Sequence, residues 1–139
     1  MIGFRHYSFV FRAPNNVTRA IIIFHMTSVS GSWCLDDVLL ERKVLPDENL
    51  IDSAGFENGN LGLQWQYCDP RYPSMRTGTV NSICSHSGNY GYQSQDHGAG
   101  SSEYLTQIVN IQANMEYRVE FYLQMVNIPN LVTLSLAFF

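Results

Sequence analysis

The sequence predicts an all-β fold, a β-sandwich or jelly roll of two antiparallel sheets, and three observations predict it. Apolar residues recur at every second position through most of the chain, the period of a strand with one buried face. Clusters of Gly, Ser, Asn and Pro interrupt these runs at short intervals, as turns do. No segment keeps apolar residues at helical spacing for three turns. The chain has 139 residues and 45% apolar content, which is one domain with a core of its own.

Taken in order, the first row is Tyr7, Phe9 and Phe11, alternating with Ser8, Val10 and Arg12. Pro14-Asn15-Asn16 turns the chain into residues 20–26, where Ile and Phe occupy both parities. Such a run suits a central strand. Residues 28–32 form the next turn, before Trp33-Cys34-Leu35-Asp36-Asp37-Val38-Leu39-Leu40. Residues 38–50 are the best helical candidate, but Pro46 interrupts them. Asn58-Gly59-Asn60 and Ser85-His86-Ser87-Gly88-Asn89 punctuate the middle, and residues 95–102, with Gly98 and Gly100, read as an exposed loop. Residues 104–111 are strand-like, but their alternation slips near Ile108, which predicts a bulge there. Tyr117, Val119, Phe121, Leu123 and Met125 make the clearest row, and Val132, Leu134, Leu136 and Phe138 make the last.

Composition excludes several functions. Charged residues are 14% of the chain, about half the usual share, and the net charge is −4. A nucleic-acid binder would need a basic stripe to displace phosphate counterions. No apolar run approaches the ~18 residues that cross a bilayer, so membrane insertion is not expected. Residues 1–7 carry Arg5 and His6 and do not read as a signal peptide. Glu116 and Glu120 flank Arg118 on one predicted strand, which reads as a solvent face rather than a glycosidase pair with Glu103. His97 beside Asp96 has no accompanying nucleophile motif. The expectation is therefore a protein that is not an enzyme. Cys34, Cys68 and Cys84 fit no zinc spacing and allow three disulfide pairings, or none. Asn16-Val17-Thr18 is an N-glycosylation sequon, which favours secretion.

Two motifs are more specific than the periodicity. One is residues 49–59, Asn-Leu-Ile-Asp-Ser-Ala-Gly-Phe-Glu-Asn-Gly, followed by Trp65. The other is the aromatic-x-Leu-Asp-Asp-Val pattern at residues 33–38. With Ser87-Gly88-Asn89-Tyr90, Leu105-Thr106-Gln107-Ile108 and the row from Tyr117 to Leu123, they resemble galactose-binding-like jelly rolls, in particular carbohydrate-binding modules of the CenC type. The similarity touches most of the chain, but the order differs. The family's closing motif comes first here. Residues 1–43 resemble the last strands of one module and residues 49–139 the first strands of the next. This is the pattern of a piece taken from tandem repeats. Exposed half-cores are costly, so residues 1–139 are expected to pack as one permuted domain. A short strand pair that usually precedes the strand like residues 7–12 is missing.

The resemblance implies the site residues. A structural calcium sits in several such folds where the first and last strands meet, which maps onto Glu57, Asp36 and Asp37. Calcium takes six to eight oxygens. Neighbouring strand residues face opposite ways, so one aspartate should meet the metal and the other a turn or water. The alternative is that these carboxylates accept backbone N–H groups. The resemblance also implies glycan or polysaccharide binding by aromatic rings and amides. The best ligand set is Tyr90, Tyr92 and Tyr122 with Gln93 and Gln124, and Trp65 is expected in the core. The leading expectation is a non-catalytic extracellular carbohydrate-binding module beside neighbouring repeat modules. The alternative is a structural or adhesive extracellular repeat without glycan affinity.

Overall fold

The computed structural model describes residues 3–28, 32–44, 48–68, 78–94, 101–125 and 131–139. They form nine strands: β1 (Arg5–Arg12), β2 (Arg19–Ser28), β3 (Trp33–Arg42), β4 (Gln66–Cys68), β5 (Thr79–Asn81), β6 (Gly91–Gln93), β7 (Ser101–Asn110), β8 (Glu116–Met125) and β9 (Leu131–Phe138). Two antiparallel sheets result, one ordered β1-β8-β3-β6-β5 and the other β4-β7-β2-β9. The amino-terminal strands are threaded between later ones. β1 pairs along its length with β8, β3 lies between β8 and β6, and β2 lies between β7 and β9.

Two local expectations are corrected. The described residues of the 38–50 stretch form no helix. β3 runs on to Arg42, and the Asn49 side chain then bonds its end like a further strand, accepting from Leu40 N at 3.0 Å and donating to Val38 O at 2.8 Å. The bulge predicted near Ile108 is absent, because β7 keeps unbroken register with β2 from Arg19↔Asn110 to Ser28↔Ser101. The alternation slips there only because Ile108 is an apolar residue facing outward, 50% exposed. The irregularity lies in β3 instead, between Asp36 and Leu39, where Asp37 takes φ 50°. The loop expected at residues 95–102 lies largely outside the described residues, and β7 already begins at Ser101.

The inward rows meet in one core. Ile22, Phe24 and Met26 of β2 face Leu35, Val38 and Leu40 of β3 and the β8 row of Tyr117, Val119, Phe121 and Leu123. Phe24 meets Phe121 edge-on, with ring centroids 5.1 Å apart. Such packing adds to the burial of both rings. Phe56 and Trp65 close one end, stacked at 5.7 Å, and the Trp65 indole donates to Ser53 O at 3.1 Å. Trp65 is thus a core residue, 1% exposed. Gln107 is buried and satisfies both its amide ends on Asp52, accepting from its N–H at 2.8 Å and donating to its carbonyl at 3.0 Å.

The two outer faces differ in chemistry. On the five-stranded sheet, Arg12 pairs with Glu116 at 3.1 Å and Lys43 with Glu116 at 3.4 Å, while Arg118 stands 4.0 Å from Glu41. On the four-stranded sheet, β2 turns Arg19, Ile21, Ile23 and His25 outward and β7 turns Tyr104, Thr106, Ile108 and Asn110. β9 adds Thr133, Ser135 and Ala137, and β4 adds Gln66 and Cys68. Arg19, at the end of the sheet over the Phe139 ring, is the one charged residue among these.

Cys34 of β3 is disulfide-bonded to Cys84, and Cys68 is a free, exposed thiol. The bridge closes a loop across a sequence separation of 50. Such a cross-link restricts the unfolded chain and is worth about 2–4 kcal/mol. Replacing both cysteines, Cys34→Ser with Cys84→Ser, is expected to lower the unfolding free energy by about that amount in urea titrations.

Candidate functional site

The motif carboxylates converge on one loop. The β3 bulge breaks the alternation that would send Asp36 and Asp37 to opposite faces, and both reach residues 86–87. This corrects the expectation that only one aspartate could face the site. Asp36 is fully buried. Its Oδ2 accepts from His86 N at 2.8 Å and Ser87 N at 3.2 Å, and its Oδ1 accepts from Asp37 N at 2.8 Å. Asp37 Oδ2 takes the His86 Nδ1 contact at 2.7 Å and accepts from Ser87 Oγ at 2.7 Å. Glu57 accepts from Asn89 N at 2.9 Å and Tyr90 N at 3.3 Å. A β-carbon at Gly55 would stand 3.5 Å from Glu57 Cγ, 3.6 Å from Asp37 Oδ1 and 3.9 Å from Asp36 Oδ1, so all three side chains border this glycine. Gly88 sits against the Glu57 carboxylate with φ +68°, where any β-carbon would collide.

These contacts make a clip that ties residues 86–90 to β3 and to the turn carrying Glu57. The amides in the loop turn their positive ends to the carboxylates. Among the described residues no group of three or more His, Cys, Asp and Glu side chains is placed to hold a metal ion. Burial pushes the Asp36 carboxyl up to about 6, against the lowering effect of the His86, Asp37 and Ser87 amides, and the Asp37 charge raises it further.

The five residues of the expected sugar platform divide between the core and the outer face. The β6 register sets Gln93 opposite Cys34 and Tyr92 opposite Leu35. Strand neighbours face opposite ways, so Gln93 goes outward and Tyr92 into the core, 1% exposed, 6.0 Å from Phe56. Tyr92 cannot offer a ring to a ligand, which corrects its assignment. Gln93 lies on the outer face, accepting from Asn81 Nδ2 at 2.7 Å and donating to Ser32 Oγ at 3.1 Å. Gln124 lies on the same face across Cys34 but is 9% exposed. Tyr90 packs partly against the core, beside Gly59. Tyr122 faces outward, with His86 stacked on it at 3.6 Å and His6 at 4.8 Å. With two imidazoles stacked on it, it has no open face for a pyranose.

Sequence reasoning missed His6, His86 and Ser87. The last two lie in a stretch that carries only turn signals, and His6 joins Tyr122 through the β1–β8 register, which no local pattern reveals. Glu103, apart from Glu116 and Glu120, is buried at 5% exposure and accepts from Tyr67 Oη at 2.7 Å. Asp96 and His97 lie outside the described residues. His25 stacks on Tyr104 at 4.4 Å. No protein-family model, curated protein or solved structure matches this chain.

A carboxyl raised on folding contributes stability below its unfolded value and loses it as pH rises through the folded one. Urea unfolding from pH 7 to pH 4 should therefore show wild type gaining stability relative to Asp36→Asn as pH falls through about 6. Equal slopes would remove Asp36 from the account. Glu57→Gln should cost about 1–2 kcal/mol, because one amide loses its acceptor, and should speed hydrogen exchange at Asn89 and Tyr90.

Proposed function

We propose that this chain is a non-catalytic extracellular β-sandwich module of the structural or adhesive kind, packed against neighbouring modules through its four-stranded sheet. One observation carries the reading: apart from Arg19 at the start of β2, the outward residues of β7, β2 and β9 include no Asp, Glu, Lys or Arg, whereas the opposite face is laced with ion pairs. A face with so little charge and with outward isoleucines loses little on desolvation and gains from burial. A face built for water carries charge in alternation, as β8 does. The Cys34–Cys84 bridge supports an oxidising, extracellular setting. The interleaving of β1, β2 and β3 with β7, β8 and β9 supports one permuted domain of the galactose-binding-like jelly-roll kind.

Glycan recognition is the second reading, and a different observation favours it. His6, Tyr122 and His86 form a ring column with Phe4 edge-on to His86 at 5.3 Å. Glu120 lies 3.8 Å from His6, and Ser87 and Asp37 border His86, so polar groups surround the rings. Sugars would stack on His6, the exposed end of the column.

Beads coated with the protein should cluster in 1 M salt, since no charge drives the contact, and Ile108→Asp should reduce clustering several-fold. Clustering that salt abolishes, or that Ile108→Asp leaves unchanged, overturns the packing reading. Glycan-array binding lost in His6→Ala would instead establish the second reading. A rise in Tm with calcium, reversed by EDTA, would overturn the clip as a purely amide-bonded device.

A further inference from the structure

The nine strands leave four sheet edges, and they are not alike. β4 and β5 are edge strands of three residues each, too short to template much pairing. β1 and β9 are edge strands of eight residues each. They lie on the same side of the sandwich, since Phe11 of β1 meets Phe138 of β9 at 5.7 Å. β1 carries Arg5 and Arg12 at its ends. In its centred antiparallel self-pairing, Arg5 would stand opposite Arg12 of a second copy at both ends, and like charges directly opposite oppose pairing. β9 has no charge, no proline and no glycine. Its own residues therefore carry none of the charges, prolines or bulge glycines that blunt natural edges.

We propose that β9 pairs with β9 of a second copy about a two-fold axis, joining the two four-stranded sheets into one continuous sheet. This rests on the reading of the chain as a packing module and names the partner at this edge. Strand parity limits the register. Val132, Leu134, Leu136 and Phe138 face inward and Thr133, Ser135 and Ala137 outward. Antiparallel partners share a face, so only a register matching even with even keeps all apolar residues inside. The register centred on Ser135 does so. It sets Leu134 against Leu136 and the largest inward residue, Phe138, against the smallest, Val132.

The same side of the sandwich holds an apolar cleft of about 230 Å³ whose lining includes Tyr7, Phe9, Phe121, Val132 and Leu134. Phe9 is 48% exposed there. A second copy along β9 brings its own Leu136 and Phe138 beside this opening. Every rung of the pairing is uncharged, so the net charge of −4 opposes it less than contact through the ion-paired face. The edge supplies main-chain hydrogen bonds and the inward row supplies apolar contact, the two parts of strand addition.

Sedimentation of the full chain from 5 to 500 µM tests this. The interface is small, so a monomer–dimer equilibrium near ~10–100 µM is expected. Ser135→Lys puts two lysines opposite each other on the axis, and Ser135→Glu two glutamates. Each alone should weaken the dimer at least tenfold, while an equimolar mixture should restore it, which a misfolded variant could not do. A monomer at 500 µM, a dimer indifferent to Ser135→Lys, or a mixture that stays monomeric overturns the proposal. So does a dimer lost in Ile108→Asp but kept in Ser135→Lys, which would place the contact on the open face. Those failures leave the packing reading to the bead experiment, where neighbouring modules and not this edge are at issue.

Discussion

β3 is the strand on which the other parts converge. Its edges bond β8 on one side and β6 on the other, so it cannot leave without splitting the five-stranded sheet. Its inward residues, from Trp33 to Leu40, fill the middle of the core. Its outward Cys34 holds Cys84, and Asp36 then captures the amides of His86 and Ser87 immediately beyond. The covalent link and the carboxylate clip thus act on the same short segment. Once the bridge has brought residue 84 to β3, ordering residues 86–90 costs less, because the segment starts from a fixed anchor. Burial of Asp36 is tolerable only because three N–H groups are already aimed at it.

The same clip shows where the motif carboxylates direct their oxygens. The bulge at Asp37 and the left-handed Gly88 bring the loop of residues 86–90 against them. The loop supplies positive charge density through amides fixed by the fold. The ring column on Tyr122 follows from this placement, because His86 is held over that ring by Asp37.

Much of the fold was legible because it rests on local alternation. The β8 row and the β9 row declare themselves in sequence, and the two-sided run at residues 20–26 became a central strand as its pattern required. The site was less legible for reasons of register. Choosing Tyr92 together with Gln93 ignored that neighbours on a strand cannot share a face. Only the pairing with Cys34 and Leu35 decides which one goes inward. The bulge at Asp37 has no local signal, since aspartate in a left-handed conformation looks like any aspartate until the carboxylates find their amides. Ile108 was misread in a useful way: its apolar character was real, but its direction was not a defect of the strand.

The threading of β1, β2 and β3 among later strands also constrains how the molecule forms. Every pairing of β1 waits for β8, more than a hundred residues later, and every pairing of β2 waits for β7 and β9. Loop closure over such distances is slow compared with hairpin formation. In the interval the uncharged residues of β2 and β9 lack partners within the chain, and strands of that composition pair readily with other copies. The charges that guard β1 do not protect β9. The edge that closes the four-stranded sheet is therefore also the one most exposed to another chain while the sheet is assembling, so the contact that orders two copies in the native state draws on the same neutrality that makes their folding hazardous.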